Sequence, residues 1–267
     1  MTTPDLIPAA LRAQLEAHER LAVAVSGGVD SLTLARAAGL LLGARCEVMH
    51  AAGPAVPPTA TARVRRHAAA AGWALQVLNA GEYDDPAYRG NPVNRCYYCK
   101  SNLYVRIGAA TTAPIAAGTN TDDLGEYRPG LIAADEHQVV HPYVAAGMNK
   151  AAVRALASAL GLHDIAELPA QPCLASRVET GIAIDADDLA FIDKVEQAVR
   201  ATRSGGDVRC RLTATGVWLE LSEALPAEEP QLQALMRSLC ATDARPFAGI
   251  RAYQRGSAFL VRNLTRS

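Results

Sequence analysis

The sequence predicts an α/β fold, a parallel-sheet domain followed by a smaller α+β domain. Three observations predict it. Leu21 to Val25 (LAVAV) is short and apolar at every position, as a strand buried on both faces must be. Strand-like and helix-like segments then alternate as far as Ala117, the order that requires parallel strands joined by helical crossovers. From Asp185 the pattern changes to one long amphipathic helix and two alternating strands. At about 150 residues per domain, the 267 residues accommodate both parts, with residues 1–182 as the first and 183–267 as the second.

After the first strand comes a glycine turn, and Leu32 to Leu42 reads as a helix. Cys46 to His50 is a second strand. Thr59 to Ala71 is helical with arginines available to face solvent, and Ala74 to Leu78 is a third strand. Residues 80–95 carry Gly, Pro and Asn and read as loop. Cys96 to Ala110 is a helix and Pro114 to Ala117 a fourth strand. Gly118 to Met148 is loop-rich. Asn149 to Leu160 has an Asn cap, strong helix formers and a Gly161 stop. Glu167 to Gly181 returns to loop, with Pro169 and Pro172. Asp185 to Arg203 has an acidic first turn, which suits a helix N-terminus. Val208 to Leu212 and Gly216 to Leu221 alternate like a hairpin, Pro230 to Cys240 is helical, and Ile250 to Arg262 is β-like.

Composition narrows the function classes. Basic and acidic residues number 26 and 27, so no broad polyanion-binding surface is expected and nucleic acid is not an expected partner. The N-terminus lacks a basic start followed by an apolar stretch, and no apolar run approaches the roughly 20 residues of a membrane span. Cytoplasmic residence is the expectation, with reduced thiols. Six cysteines, at 46, 96, 99, 173, 210 and 240, are too few for a disulfide scaffold in a chain this long. Lysine occurs only at Lys100, Lys150 and Lys194.

Ser26-Gly27-Gly28-Val29-Asp30-Ser31 lies between the first strand and the first helix. Unpaired N–H groups and the positive end of the helix attract anions there. The glycines let the backbone approach phosphate, Ser26 and Ser31 add hydroxyl donors, and Asp30 could hold a metal ion accompanying the nucleotide. No Walker lysine follows, so γ-phosphate transfer in the P-loop manner is not expected. This segment resembles the PP-loop of the N-type ATP pyrophosphatases, which cleave ATP between the α- and β-phosphates and adenylate an oxygen of the substrate.

Cys96 and Cys99 form a CxxC at a helix start, where positions i and i+3 share a face. Cys173, in Gln171-Pro172-Cys173-Leu174-Ala175-Ser176-Arg177, is a third candidate ligand. On the residues alone, an iron–sulfur cluster, another metal and inert packing all remain open. Lys100, beside Cys99, could bind phosphate, lower a thiolate pKa or snorkel. Lys150 and Lys194 are expected to be solvated. Cys46, Cys210 and Cys240 are expected to pack.

The combination of SGGVDS, NPVNRCYYCK, Gly118 to Asp123 (GTNTDD), Glu126 to Gly130 (EYRPG), VRALASALGL and PCLASR resembles the LarE family of ATP-dependent sulfur transferases. That family serves nickel-pincer cofactor assembly. The resemblance covers about the first two thirds of the chain. It implies a PP-loop domain of the adenine nucleotide alpha hydrolase-like fold, ATP with Mg²⁺, and a nucleotide-like carboxylate as small-molecule substrate. With three cysteines the chain resembles the members that bind a [4Fe–4S] cluster, which implies Cys96, Cys99 and Cys173 as ligands and catalytic thiols. An open iron would carry hydrosulfide from a sulfide donor, and a homo-oligomer is implied by resemblance alone. Glu126, Arg128 and Arg177 fall where substrate or phosphate would be met. Arg177 could bind an anion or pair with an acidic neighbour. Asp122 and Asp123 could bind Mg²⁺, contact ribose or cap a turn.

Val208-Arg209-Cys210-Arg211 resembles the family's arginine strand, with Arg209 and Arg211 on one face as an anion clamp. The plainer alternative is two solvent-facing arginines. Glu220 matches an acidic position of the next strand. Leu212 stands where the family has His, Val178 to Gly181 (VETG) lacks the common aromatic, and no Asp-Leu pattern occurs around Gly249 to Tyr253. Two further hypotheses are another PP-loop adenylating enzyme, for tRNA thiolation or amide formation, and a non-catalytic nucleotide- or metal-binding protein.

Overall fold

The computed structural model describes residues 3–125, 128–203, 205–222 and 229–253. In chain order the elements are α1 (Ala9–Glu16), β1 (Leu21–Val25), α2 (Val29–Leu42), β2 (Cys46–Ala51), α3 (Pro58–Ala71), β3 (Ala74–Leu78), α4 (Pro86–Arg89), α5 (Arg95–Ala110) and β4 (Ile115–Ala116). There follow α6 (Pro129–Glu136), α7 (Pro142–Ala145), α8 (Lys150–Ala159), α9 (His163–Ala166), α10 (Ala186–Ala201), β5 (Val208–Thr213), β6 (Gly216–Leu221), α11 (Glu229–Thr242) and β7 (Phe247–Ala252). They divide into two compact units. The first comprises Met1–Asp85 and Asn94–Gln171, the second Pro86–Val93 and Pro172–Ser267.

The first unit is built on a parallel sheet in the order β3-β2-β1-β4. Val25 pairs with His50 and Ala51 with Leu78, so the carboxyl ends of β1, β2 and β3 lie along one edge. The all-apolar LAVAV run follows from its two-sided burial. Leu21, Val23 and Val25 join the cluster containing Leu11, Leu15, Leu32 and Leu156. Ala22 and Ala24 meet the opposite cluster around Tyr104, Ile107, Ala133 and Val139. Successive residues of a strand face opposite ways, so a strand between two helical layers has no place for a polar residue. β3 differs: it is an edge strand with Val77 exposed.

Two stretches that read as loop contain helix. Residues 80–95 hold a 3-10 turn, Glu82–Asp84, and the short α4. Within Gly118 to Met148, α6 starts at Pro129, where the Pro-Gly pair reads as a turn. Proline at the first helical position lacks only an N–H that would be unpaired there, so it starts a helix as readily as it ends one.

The second unit holds a three-stranded sheet, β5-β6-β7. β5 and β6 form the expected antiparallel hairpin. β7 runs parallel to β6 after the α11 crossover, and it begins at Phe247, ahead of the expected Ile250. Residues 254–262 of the expected β-like segment lie outside the described residues. Asp185 caps α10 by accepting the Asp187 N–H at 2.8 Å. Among the described residues no helix is long and apolar enough to cross a membrane.

Candidate active site

The phosphate loop leaves β1 at Val25 and enters α2 at Val29. Gly28 is the cap residue of α2 and no side chain caps it, which leaves the first-turn N–H groups for an anion. Ser31 Oγ accepts the Ser26 N–H at 3.1 Å, donates to the Gly28 carbonyl at 3.3 Å and lies 3.3 Å from Ser26 Oγ, so both serines close the loop on itself. Gly27 has φ +87, and a Cβ there would stand 2.8 Å from the Ala60 carbonyl oxygen of α3. Only glycine meets both demands.

Three groups hold the loop from outside. Arg63 Nη1 donates to the Gly27 carbonyl at 2.7 Å and to Gln171 Oε1 at 3.1 Å. Tyr143 donates to the Asp30 carbonyl at 3.1 Å. Buried His50 lies 2.9 Å from both the Val25 carbonyl and Thr61 Oγ1. A carbonyl only accepts, so Nδ1 carries the proton and Nε2 accepts from Thr61. Burial lowers the His50 pKa, keeping it neutral in this bridge. His50 therefore has a structural place at the strand end.

The Asp30 carboxylate is met by Lys150 Nζ at 2.5 Å and by Asn120 Nδ2 at 3.3 Å. Lys150 was expected to be a solvated helix-start residue, and the structure corrects this. Asn149 caps α8 by accepting the Ala152 N–H at 2.9 Å, while Asp122 accepts the Lys150 backbone N–H at 3.1 Å. Those two bonds fix the start of α8 beside α2 and turn the lysine onto the loop. Gly118 permits the approach: a Cβ on it would be 2.9 Å from the Asp30 carbonyl carbon. Lys150, Arg63, Asn120 and Tyr143 were thus missed as loop partners, because nothing in their sequence spacing links them to Ser26-Ser31.

Asp122 and Asp123 act as turn-capping groups. Asp123 accepts the Asn120 N–H at 3.0 Å and, through its other oxygen, pairs with Arg128 at 2.9 Å. Arg128 is therefore near the β4 exit with its guanidinium partly exposed. Glu126 lies outside the described residues.

The six cysteines carry no disulfide and sort into two kinds. Cys46, Cys210 and Cys240 are buried. Burial, with Glu47 adding, pushes the Cys46 thiol up to about 12, and burial also raises Cys210 and Cys240. Such thiols stay protonated and inert. Cys96, Cys99 and Cys173 are half-buried. Cys96 and Cys99 lie one turn apart on α5 in the first unit. Cys173 precedes the 3-10 turn Leu174–Arg177 in the second. Among the described residues there is no group of three or more His, Cys, Asp or Glu gathered as for a metal ion. Three accessible thiols remain the right donor type for iron or another soft metal.

Within the second unit, Arg177 is buried and paired. Its Nε and Nη2 donate to the two oxygens of Glu196 at 2.8 and 3.1 Å. Its Nη1 donates to the Pro172 and Cys173 carbonyls at 2.6 and 3.1 Å, so the guanidinium fixes the backbone that carries Cys173. Of its two expected roles, the acidic neighbour is the one observed. Glu196 also takes Arg200 Nη2 at 2.6 Å and the Cys210 N–H at 3.1 Å. Burial pushes the Glu196 pKa up, but the Arg177 bonds and the charges of Arg177 and Arg200 hold it below the usual range.

Arg209 and Arg211 share a face of β5, and both are buried, unlike the solvent-facing alternative. Arg209 pairs with Asp207 at 2.9 Å and lies 5.4 Å from the centre of the Tyr253 ring. Arg211 pairs with Glu220 at 2.7 Å and donates to the Ser176 carbonyl at 2.6 Å. Glu220 also binds Arg251 at 2.7 Å. The sequence signal for Glu196 was present, since it interrupts the apolar stripe of α10 formed by Leu189, Ile192, Val195 and Val199.

No family model matches the chain. It is 34% identical over 186 residues to the uncharacterized protein slr1717 of Synechocystis sp., covering 68% of this chain and 69% of that protein. To the uncharacterized protein MJ0830 of Methanocaldococcus jannaschii it is 26% identical over 197 residues, 68% of this chain and 70% of the other. To the pyridinium-3,5-bisthiocarboxylic acid mononucleotide synthase of Lactiplantibacillus plantarum it is 28% identical over 229 residues, 84% and 82% of the two chains.

Proposed function

We propose that this chain, which belongs to the family of the Synechocystis slr1717 protein and is similar to the Lactiplantibacillus synthase, is a LarE-like, ATP-dependent sulfur transferase of nickel-pincer cofactor biosynthesis. Its substrate would be a nucleotide-like carboxylate, the oxygen counterpart of the bisthiocarboxylic acid mononucleotide in the name of the Lactiplantibacillus relative. The observation that carries the reading is the phosphate loop, an uncapped helix N-terminus backed by Lys150 and closed by Ser26 and Ser31.

In this reading the Gly27-Gly28 backbone, Ser26 and Ser31 bind the phosphates of ATP, and Lys150 balances their charge. Asp30 has the oxygen donors Mg²⁺ requires, and a cation there would take the place now filled by the Lys150 ammonium. A substrate carboxylate oxygen attacks the α-phosphorus, the bond to the β-phosphate breaks, and pyrophosphate leaves. The resulting acyl-adenylate is reactive because AMP is a far better leaving group than hydroxide. Cys96, Cys99 and Cys173 would hold a [4Fe–4S] cluster, which when bound supplies a nucleophilic sulfur for the activated acyl carbon. Arg177 would keep the Cys173 backbone in place by its bonds to the Pro172 and Cys173 carbonyls. Arg209 and Arg211 would meet substrate phosphate by exchanging part of their present carboxylate pairing, Arg128 would contact substrate from the β4 exit, and Glu126 would contact substrate as well.

The test is anaerobic purification and reconstitution with iron and sulfide analysis and visible spectroscopy, together with an assay for ATP conversion to AMP and pyrophosphate. Iron-loaded protein that forms pyrophosphate in the presence of a pyridinium carboxylate mononucleotide is the expected result. A colourless, iron-free protein after reconstitution removes the cluster. Absence of AMP and pyrophosphate removes the adenylation step.

A further inference from the structure

Glu82 is a charged residue with no place in the chemistry above, yet it is only 5% exposed. Its Oε2 is fully buried and has no hydrogen-bond partner among the described residues. Burial raises its pKa, its own backbone N–H acts the other way, and nearby Asp84 adds to the rise. A buried carboxyl oxygen left without a partner costs folding free energy that a well-packed apolar residue would not. Sites that bear such a cost are commonly built for a ligand.

Its position says which ligand. Glu82 opens the 3-10 turn after β3, and Oε1 lies 2.9 Å from where a Cβ on Gly53 would stand. A side chain at Gly53 would strike the carboxyl. Gly53 is the second residue beyond β2, and it turns the chain back through the Val56 N–H to Gly53 carbonyl bond of 2.9 Å. The Glu82 carboxyl therefore sits at the mouth of β2, on the same carboxyl edge as the phosphate loop at the end of β1. Paired strands are about 4.8 Å apart, and α3, which follows the Gly53 turn, touches Gly27. A nucleotide whose phosphates lie on Ser26-Ser31 has its base one ribose away, along this edge.

We propose that Glu82 reads the base of the bound nucleotide, its Oε2 accepting a hydrogen bond from the exocyclic amino group of adenine. The proposal rests on the ATP-binding reading given above. A purine with an oxo group at that position, as in inosine triphosphate, presents lone pairs to the carboxyl and leaves the buried oxygen unmet. A polar group built to receive a substrate N–H rejects analogues that lack it.

The experiment measures ATP and inosine triphosphate binding by calorimetry, with Mg²⁺, to the full chain and its Glu82→Leu and Glu82→Gln variants, alongside nucleotide-free melting temperatures. Wild type should prefer ATP by tenfold or more. Glu82→Leu should lose at least tenfold in ATP affinity and most of the preference, while its nucleotide-free melting temperature stays level or rises. Glu82→Gln, whose amide can donate to an oxo group, should shift the preference toward inosine triphosphate; it decides the matter if Glu82→Leu does not fold. An unchanged ATP-to-inosine-triphosphate ratio in the folded variants overturns the role of Glu82 and leaves ATP binding standing. A wild-type chain that binds neither nucleotide overturns both.

Discussion

Replacing Glu196 by Gln removes one charge and leaves the shape of the side chain. The carboxylate is 1% exposed and the Arg177 side chain 4%, so the substitution strands a guanidinium in the interior. Breaking a buried pair by deleting one partner costs about 3–5 kcal/mol. The amide oxygen, standing in for either carboxylate oxygen, can still accept two of the four present donors, which places the expected loss near the lower end, ~3 kcal/mol. Arg200 adds little, being 45% exposed and an i, i+4 partner. Against a total of about 5–15 kcal/mol, that loss is easily read. Trp218 lies in β6 of the second unit and Trp73 in the first, so a Trp73→Phe background makes Trp218 fluorescence the probe of the affected unit. With a urea slope of about 1–3 kcal/mol/M, the midpoint should fall by roughly 1–3 M. The folded pKa of Glu196 is depressed below its ordinary 4.5. Its stabilisation is therefore complete above about pH 4.5 and is lost as pH falls through the lower folded value. Glu196→Gln does not titrate there, so the gap between the two proteins should narrow in acid. A loss under about 1 kcal/mol at pH 7, or a gap that is constant into acid, refutes the reasoning.

Three other outcomes are expected. Gly27→Ala forces a Cβ to 2.8 Å from the Ala60 carbonyl at φ +87, which should cost about 1–2 kcal/mol or more and abolish pyrophosphate release while far-UV dichroism stays native; retained turnover would show that the loop tolerates the shift. Lys150→Met removes the 2.5 Å partner of Asp30, and because both groups are about one-third exposed its stability effect should be no more than about 1 kcal/mol. Calorimetry should nevertheless show ATP affinity falling by about tenfold or more, and unchanged affinity would remove Lys150 from the phosphate site. In the native, metal-free protein, iodoacetamide should label Cys96, Cys99 and Cys173, with Cys46, Cys210 and Cys240 labelled only after unfolding; mass spectrometry showing early labelling of Cys46 would contradict its thiol lying near 12.

Strands β1 and β3 were legible to the residue because their ends coincide with a change in chemistry: LAVAV stops at the first serine, and ALQVL at Asn79. α6 was not, since Pro129-Gly130 carries the same residues a turn would use, and what makes it a helix is its packing against α5, close enough that a Cβ on Gly130 would stand 3.0 Å from Lys100. The site divides along the same line. Ser26 to Ser31 and the Cys96–Cys99 pair declare themselves locally, because a phosphate loop and a CxxC are short stretches of chain. The groups that give them their properties come from far along the sequence: Lys150 is 120 residues from Asp30, and Glu196 is 19 from Arg177. A lysine at a helix start and a glutamate in an apolar stripe each have two physical outcomes, solvation or pairing, and the choice depends on which partner the fold delivers. For Glu196 the choice could have been narrowed, since a carboxylate on the buried face of α10 must find a cation or raise its pKa. For Lys150 it could not, because the bonds that aim it, from Asn149 and Asp122, exist only once β4, α8 and the phosphate loop have been assembled on one edge of the sheet.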